Sequence, residues 1–289
     1  MNVVLYTVSG IAPVLFLSVL AMAQPPVWDR AHELYQRTEY QQSLALLLPE
    51  AHKDAPTLGL IGQNYFMLAE YKKATEAFEK AVAFAPNDSE LHHWLGRAWG
   101  RRAETSNPFS APGFASKARQ SFEKAVALDP TNHEAVNDLF DYYLEAPGFL
   151  GGGLQKAEQI AALIARDNPA EGNYAQAQIE DKRKEYDAAE QHLRRAAELA
   201  PKEVGRVLDV AMYLAKRGRY KESDAMFDEA SSMAPASPKV WFERASAYIK
   251  GRRKLGEAKE LLERYLRSPL TPDDPPRERA EELLKKIGA

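Results

Sequence analysis

Apolar side chains recur along most of this chain at spacings of three and four residues, the pattern of amphipathic α-helices. In residues 55–88, small and large residues alternate before a proline: Leu58, Gly62, Tyr65, Ala74, Phe78, Ala81 and Pro86. Two antiparallel helices approach closely where a small residue on one faces a bulky ring on the other. Proline ends the second helix, because its ring removes a backbone donor and clashes with the preceding turn. The pattern predicts a packed helix pair.

Further copies of this pattern follow along the chain. In successive copies, the small residue of the second helix and the proline after it are displaced along the chain by the same number of residues. Pro169 is one of these prolines. Such self-similarity is typical of a solenoid, in which stacked repeats share one continuous core. The predicted repeat-packing residues are Gly62, Ala74, Phe78, Ala81, Pro86, Gly96, Ala118, Phe122, Ala125, Pro130, Ala157, Ala189, Ala196, Pro201, Ala211, Phe227, Ala230 and Pro235.

The copies divide the chain into seven repeats and a terminal helix. We expect the third and fourth repeats to carry insertions as loops between their two helices. The last helix should start at Asp273-Asp274-Pro275-Pro276, run through Arg277 to Ile287 and cap the end of the solenoid, which otherwise has no neighbour. The predicted repeats are 24–54, 55–88, 89–132, 133–169, 170–203, 204–237 and 238–270, and the capping helix lies within 271–289.

The pattern in residues 55–88 resembles the tetratricopeptide repeat, a unit of two antiparallel helices. In the stretches 92–97, 106–114, 122–130 and 146–150, the chain also resembles exported bacterial members of that family. The resemblance implies an all-α fold, a right-handed superhelical solenoid of about seven helix-turn-helix repeats. It further implies a scaffold or adaptor that binds a protein or peptide in the concave groove lined by the first helices.

The resemblance assigns certain first-helix positions to that groove. The groove residues it implies are Gln63, His93, Arg97, Arg101, Asn137, Asp141, Tyr174 and Gln178. His92, next to His93, falls at a position that should pack in the core. We also expect the basic pair Arg97 and Arg101 to lie beside the acidic pair Asp141 and Glu145, because the pairs occupy matching positions in successive repeats.

A second possible surface is a loop edge formed by Phe109, Phe114 and Phe149, which lie among Pro and Gly in the two insertions. Either these rings cover the core between repeats, or they bind a small molecule or peptidoglycan fragment. Gly151, Gly152 and Gly153 precede a helix, where free amides collect, but a phosphate-binding loop would also need a preceding strand and a following Lys-Ser or Lys-Thr.

The net charge and the residues available for catalysis or metal binding narrow the possible classes of function. The formal net charge is −3, so the chain lacks the basic surface that nucleic acid requires. The six His include no H-E-x-x-H motif and no pair four residues apart, and there is no Cys. No nucleophile elbow is present either. We therefore predict no metal site, no cofactor and no catalytic residue.

The N-terminal segment 1–23 contains no charged side chain and ends in Ala21-Met22-Ala23 after an apolar run. This is typical of a signal peptide with a small-residue cleavage site, although Lys or Arg is missing from its start. The alternative is an uncleaved membrane anchor, the only membrane association that we expect. In both cases the remaining chain is exported, to the periplasm or beyond.

Overall fold

The computed structural model describes residues 26–288, and within this range it contains helices and no strand. The α-helices are α1 (Val27–Gln36), α2 (Tyr40–Leu47), α3 (Ala55–Met67), α4 (Tyr71–Phe84), α5 (Ser89–Thr105), α6 (Ala111–Leu128), α7 (His133–Glu145), α8 (Leu154–Asp167), α9 (Pro169–Arg183), α10 (Tyr186–Leu199), α11 (Val204–Lys216), α12 (Tyr220–Met233), α13 (Pro238–Lys250), α14 (Leu255–Arg267) and α15 (Arg277–Gly288). A short 3-10 turn at Gly148–Leu150 precedes α8.

The helices pack as seven successive hairpins, from α1 with α2 to α13 with α14, and α15 packs against the last pair. First helices of neighbouring hairpins also contact each other, as α3 contacts α5 and α11 contacts α13. One layer of the solenoid is therefore made of first helices and the other of second helices. This arrangement confirms the predicted all-α solenoid.

Glycines and alanines hold the two helices of each hairpin together. A Cβ atom on Gly62 would lie 2.6 Å from the ring of Phe78, and one on Gly96 would lie 2.6 Å from the ring of Phe122. Phe78 and Ala74, both on α4, are fully buried. The small residues of the pattern are thus points where helix backbones meet aromatic rings, as close packing requires.

Five hairpins share one kind of turn between their helices. Thr38, Ala69, Lys184, Gly218 and Arg252 each adopt a left-handed backbone conformation just after a first helix. The amide of the next residue donates to a carbonyl of the last helical turn, for example from Glu70 to Tyr65 at 2.9 Å. This is the Schellman arrangement, which satisfies helix-terminal carbonyls and turns the chain sharply. The third and fourth hairpins, which carry the insertions, lack it.

The insertion of the third repeat is mostly helical, so the expected long loop was wrong. It lengthens α5 and α6 by about one turn each and leaves the short connection 106–110. Pro112 and Gly113 lie in the first turn of α6, where proline is tolerated because its missing amide would have no helical partner.

Pro169 lies two residues beyond the end of α8, as the sequence pattern predicts, and it also begins the next helix. It is the first residue of α9, and the side chain of Asn168 caps that helix by accepting hydrogen bonds from the amides of Ala170 and Glu171. Helix α8 and helix α9 thus meet at a single residue. The other four prolines, Pro86, Pro130, Pro201 and Pro235, likewise lie two residues beyond the ends of α4, α6, α10 and α12.

The segment between the last two helices lies close to the first helix. Pro272 and Asp273, between α14 and α15, line the same cavity as His32 and Tyr35 of α1. In the part of the chain that the structure describes, no helix is long and apolar enough to span a membrane. The predicted signal peptide, residues 1–23, lies outside the described residues.

Candidate functional site

Two cavities open along the surface formed by the first helices. The N-terminal cavity, about 560 Å³, is lined by α1, α3, α5, α7 and the segment that contains Pro272 and Asp273. The C-terminal cavity, about 590 Å³, lies mainly along α7, α9, α11 and α13. Both volumes are within the range of about 300–1,000 Å³ that is common for ligand sites.

The predicted groove residues divide between these cavities. Gln63, His93, Arg97 and Asn137 line the N-terminal cavity. Tyr174 and Gln178 line the C-terminal cavity together with Leu144, Met212 and Tyr213. Arg101 and Asp141 line neither cavity.

His93 is buried rather than directed into open solvent, with only 1% of its side chain exposed. Its Nε2 lies 2.7 Å from Oδ2 of Asp138, and its Nδ1 has no hydrogen-bond partner among the described residues. His92 is half-exposed, with Nε2 3.0 Å from the carbonyl oxygen of Pro86. His93 is thus buried although the sequence predicted it in the groove, and His92 is half-exposed although the sequence predicted it in the core. The reason is that the next hairpin covers the face of α5 on which His93 lies.

Arg97 and Arg101 do not pair with Asp141 and Glu145 as expected. The guanidinium of Arg97 lies 4.4 Å from the ring centre of Trp94 and 3.7 Å from a carboxylate oxygen of Asp138. Arg101 contacts Tyr71 and Glu104 instead. Aromatic rings of the repeat itself and of its N-terminal neighbour hold both side chains.

Successive first helices exchange ion pairs further along the solenoid. Lys182 lies 2.6 Å from Glu145, and Lys216 lies 2.6 Å from Asp181. These pairs are partly exposed, and pairs of this kind typically contribute only about 0.2–1 kcal/mol. They neutralise much of the charge at the C-terminal cavity.

Asp141 makes no ion pair or hydrogen bond within the described residues. Its side chain is exposed on α7. Partial loss of water and, secondly, repulsion from the carboxylates of Asp138, Glu145 and Glu171 raise the pKa of Asp141 to about 6. Asp141 thus lies among other carboxylates of α7 and α9.

Three half-buried amide side chains on this surface, Gln63, Asn137 and Gln178, make no hydrogen bonds within the described residues. Each carries both a donor and an acceptor. They belong to α3, α7 and α9, so unpartnered amides follow the concave surface across both cavities.

The three predicted edge aromatics differ in their surroundings. Phe114 stacks on Trp99 with ring centres 5.3 Å apart, and Arg102 covers it. Phe109 is 97% exposed and Phe149 is 83% exposed. Phe114 therefore covers the core, while the other two rings lie on the surface and line neither of the two cavities.

The three glycines before α8 form a closed turn. The amide of Gly153 donates to Tyr143 at 2.8 Å, and the amides of Gly151 and Gly152 donate within the turn. A Cβ atom on Gly152 would lie 1.9 Å from the carbonyl oxygen of Ala146. Close backbone approach accounts for Gly152, and these amides are occupied rather than free to bind phosphate.

Sequence reasoning did not identify Glu90, Glu134 and Asp138 as parts of the site. Glu90 accepts a hydrogen bond from the indole of Trp94, and Glu134 lies 4.0 Å from Nδ1 of His93. The spacing Glu90-x-x-His93 places both residues on one helix face and could have suggested them. Their proximity to α7 depends on the stacking of hairpins.

Comparison with known proteins gives the following similarities. A family model described as tetratricopeptide repeat matches residues 55–88 and 170–203. No curated protein matches the chain.

Solved structures of low sequence identity share the fold. A tetratricopeptide-repeat protein from Parabacteroides merdae has 13% identity and a TM-score of 0.58, covering 91% of this chain and 98% of that one. A thermophilic TPR protein of Thermus thermophilus has 20% identity and a TM-score of 0.51, covering 68% and 96%. Human IFIT1, as a dimer with PPP-AAAA, has 18% identity and a TM-score of 0.53, covering 83% and 54%.

The family match lies in two hairpins of the solenoid, α3 with α4 and α9 with α10, and the similar structures share the helical fold over most of the chain. Together these findings show that the chain contains tetratricopeptide repeats at residues 55–88 and 170–203 within a solenoid fold shared with tetratricopeptide-repeat proteins.

Proposed function

We propose that this protein is a non-catalytic scaffold that holds an extended or helical segment of a partner protein along its concave surface. The observation that carries the proposal is the set of unpartnered amides Gln63, Asn137 and Gln178. An amide side chain offers one acceptor and two donor hydrogens, which match the carbonyl and N–H groups of a peptide backbone.

The C-terminal cavity supplies apolar contacts for side chains of that segment. Leu144, Met212 and Tyr213 form part of its wall, close to Gln178. A methionine adapts its shape to different neighbours, and a tyrosine presents an apolar ring with a polar end. Such a wall accepts apolar side chains while the amides orient the backbone.

Charge favours a basic segment near α7. The ion pairs of Lys182 and Lys216 are satisfied within the solenoid, whereas Asp141 has only carboxylates among its charged neighbours. A Lys or Arg of the partner at this place would relieve the repulsion among these acids. We therefore infer a partner segment with apolar side chains and at least one basic residue.

The test begins with a photo-crosslinking residue at position 178, used to capture and identify the partner. Binding is then measured for the variant Gln63→Met, Asn137→Leu and Gln178→Met, which removes the amides with little change in volume. Each lost hydrogen bond contributes about 0.5–1.5 kcal/mol. The triple variant should therefore bind at least about tenfold more weakly, equivalent to about 1.4 kcal/mol.

The matched control is Gln191→Met, which changes an exposed amide on the second helix α10. It should bind like the unmodified protein. Equal binding by the triple variant and this control would contradict the proposal.

A second candidate function uses the edge that carries Phe109 and Phe149. Its support is their exposure, since large apolar rings in water often mark contact surfaces. On this alternative the edge binds a small molecule or peptidoglycan fragment. Loss of ligand capture by Phe109→Ser with Phe149→Ser, together with normal capture by the amide variant, would favour it.

We further propose that binding takes place outside the cytoplasm, after cleavage of residues 1–23. The support is the apolar run and the small residues Ala21, Met22 and Ala23. N-terminal sequencing of protein purified from its native cells should begin at Gln24. A membrane-bound protein that retains Met1 would instead indicate an anchor.

A further inference from the structure

The wall of the N-terminal cavity contains a cluster of ionisable groups from two helices. Glu90 and His93 lie one turn apart on α5, and Glu134 and Asp138 lie one turn apart on the neighbouring α7. One potential metal-binding atom each from Glu90, His93 and Glu134 lies within 4.8 Å of the others. All four residues line the cavity.

The imidazole of His93 is the unusual member of this cluster. Its Nδ1 is buried and has no hydrogen-bond partner among the described residues, and the nearest acid oxygen, on Glu134, is 4.0 Å away. A buried polar atom without a partner is costly, commonly by about 1–3 kcal/mol. Because its neighbours here are carboxylates, a cation bound between them would satisfy all three groups at once.

We propose that Glu90, His93 and Glu134 bind a divalent first-row transition-metal ion, with Zn²⁺ as the representative ion. Two carboxylates and one neutral imidazole neutralise the charge of a divalent cation. An imidazole donor favours Zn²⁺, Fe²⁺, Ni²⁺ or Cu²⁺ over Mg²⁺ and Ca²⁺, which prefer oxygen ligands. This inference concerns the site alone and does not depend on the proposed peptide binding.

Neighbouring groups hold two of the ligands in place. Asp138 lies 2.7 Å from Nε2 of His93, which directs the proton to that nitrogen and leaves the Nδ1 lone pair for a metal. The indole of Trp94 donates to Oε1 of Glu90 at 2.7 Å. A carboxylate on the far nitrogen of a histidine is the usual support of a metal-binding imidazole.

Glu134 provides the freedom to close the site. Its side chain is 72% exposed and makes no hydrogen bond within the described residues, so its carboxylate can rotate toward His93. Zn²⁺ binds nitrogen and carboxylate oxygen at about 2.0–2.2 Å, which places tetrahedral ligand atoms about 3.4 Å apart. The atoms, now within 4.8 Å of one another, must therefore move closer, and rotation of Glu134 can supply this movement. Three protein ligands leave a fourth position open toward the cavity, as in sites that accept water or a further ligand.

The experiment titrates Zn²⁺ into metal-free protein without a histidine tag and follows binding by calorimetry. The visible absorption of Co²⁺ in place of Zn²⁺ reports the ligand set. We expect one ion per chain and a higher melting temperature in excess Zn²⁺. Glu134→Gln should weaken binding at least about tenfold, while Glu79→Gln, an exposed acid on α4, should leave it unchanged.

His93→Gln should abolish the binding and the Co²⁺ spectrum of this site. Because His93 is buried, that change can also lower stability, so the exposed residue Glu134 provides the decisive comparison. Asp138→Asn should weaken binding by about tenfold through loss of the supporting carboxylate. No stoichiometric binding, or equal binding by Glu134→Gln and Glu79→Gln, would overturn the proposal.

Discussion

Phe227→Ala is expected to lower the free energy of unfolding by about 3–5 kcal/mol, as truncation of a buried phenylalanine usually does. The ring lies on α12 and is fully buried. It belongs to the same apolar cluster as Ala211 of α11 and Val240 of α13, so it joins the sixth hairpin to the seventh. Its removal leaves a cavity between the sixth and seventh repeats. Neither repeat can fill this cavity by moving alone.

Chemical denaturation measures the total loss in the free energy of unfolding, and amide hydrogen exchange shows which helices are destabilised. Contacts in a solenoid are confined to neighbours, so amides of α11 to α14 should lose more protection than those of α3 and α4. The control is Phe149→Ala, which removes the same ring from an exposed position and should change stability by no more than about 0.5 kcal/mol. Similar losses in the two variants would contradict the assigned packing.

Gly62→Leu is the second substitution with a large expected effect, a loss of about 1–3 kcal/mol from overpacking. Even a single Cβ atom at this position would lie 2.6 Å from the ring of Phe78. That ring cannot easily withdraw, because it is fully buried and stacks on Trp94 with ring centres 6.0 Å apart. A leucine must therefore separate α3 from α4.

The neighbouring substitution Gln63→Ala is its control. Gln63 lies on the concave side, makes no hydrogen bond within the described residues and should cost no more than about 0.5 kcal/mol. Both variants are compared by denaturant titration under the same conditions. Equal losses would mean that position 62 is not a contact between helices.

The sequence predicted the hairpins because their signals are local. Gly62 faces Phe78 within one repeat, and Pro86 follows the end of α4 by two residues. Such contacts depend on helix periodicity and on the size of side chains that are close in sequence. Local signals of this kind are sufficient to predict the all-α fold.

Insertions were harder to interpret. Residues around Phe114 contain proline and glycine, which suggested a loop, yet they continue α6 and pack on Trp99. Pro169 follows the end of α8 by two residues, as the sequence predicts, and also starts α9. In the insertion, the contacts of the hairpin rather than local propensity select the conformation.

The candidate site depended on tertiary structure to a greater extent. The sequence predicted that Gln63, Asn137 and Gln178 lie on the concave side. It did not show that their amides lack hydrogen-bond partners within the described residues and are therefore available. It also could not show that Arg97 turns toward Asp138, or that the end of the chain returns to α1 near Asp273. These features depend on the angle between successive hairpins.

The contacts of His93 with acids of α7 also depend partly on the local sequence and partly on the tertiary structure. The sequence determined that Glu90 and His93 share one face of a helix, since residues three apart lie one above the other. Only the stacking of the next hairpin brought Glu134 and Asp138 to that face and buried the imidazole. The angle of that stacking comes from many side-chain contacts acting together, so no local pattern in the sequence encodes it.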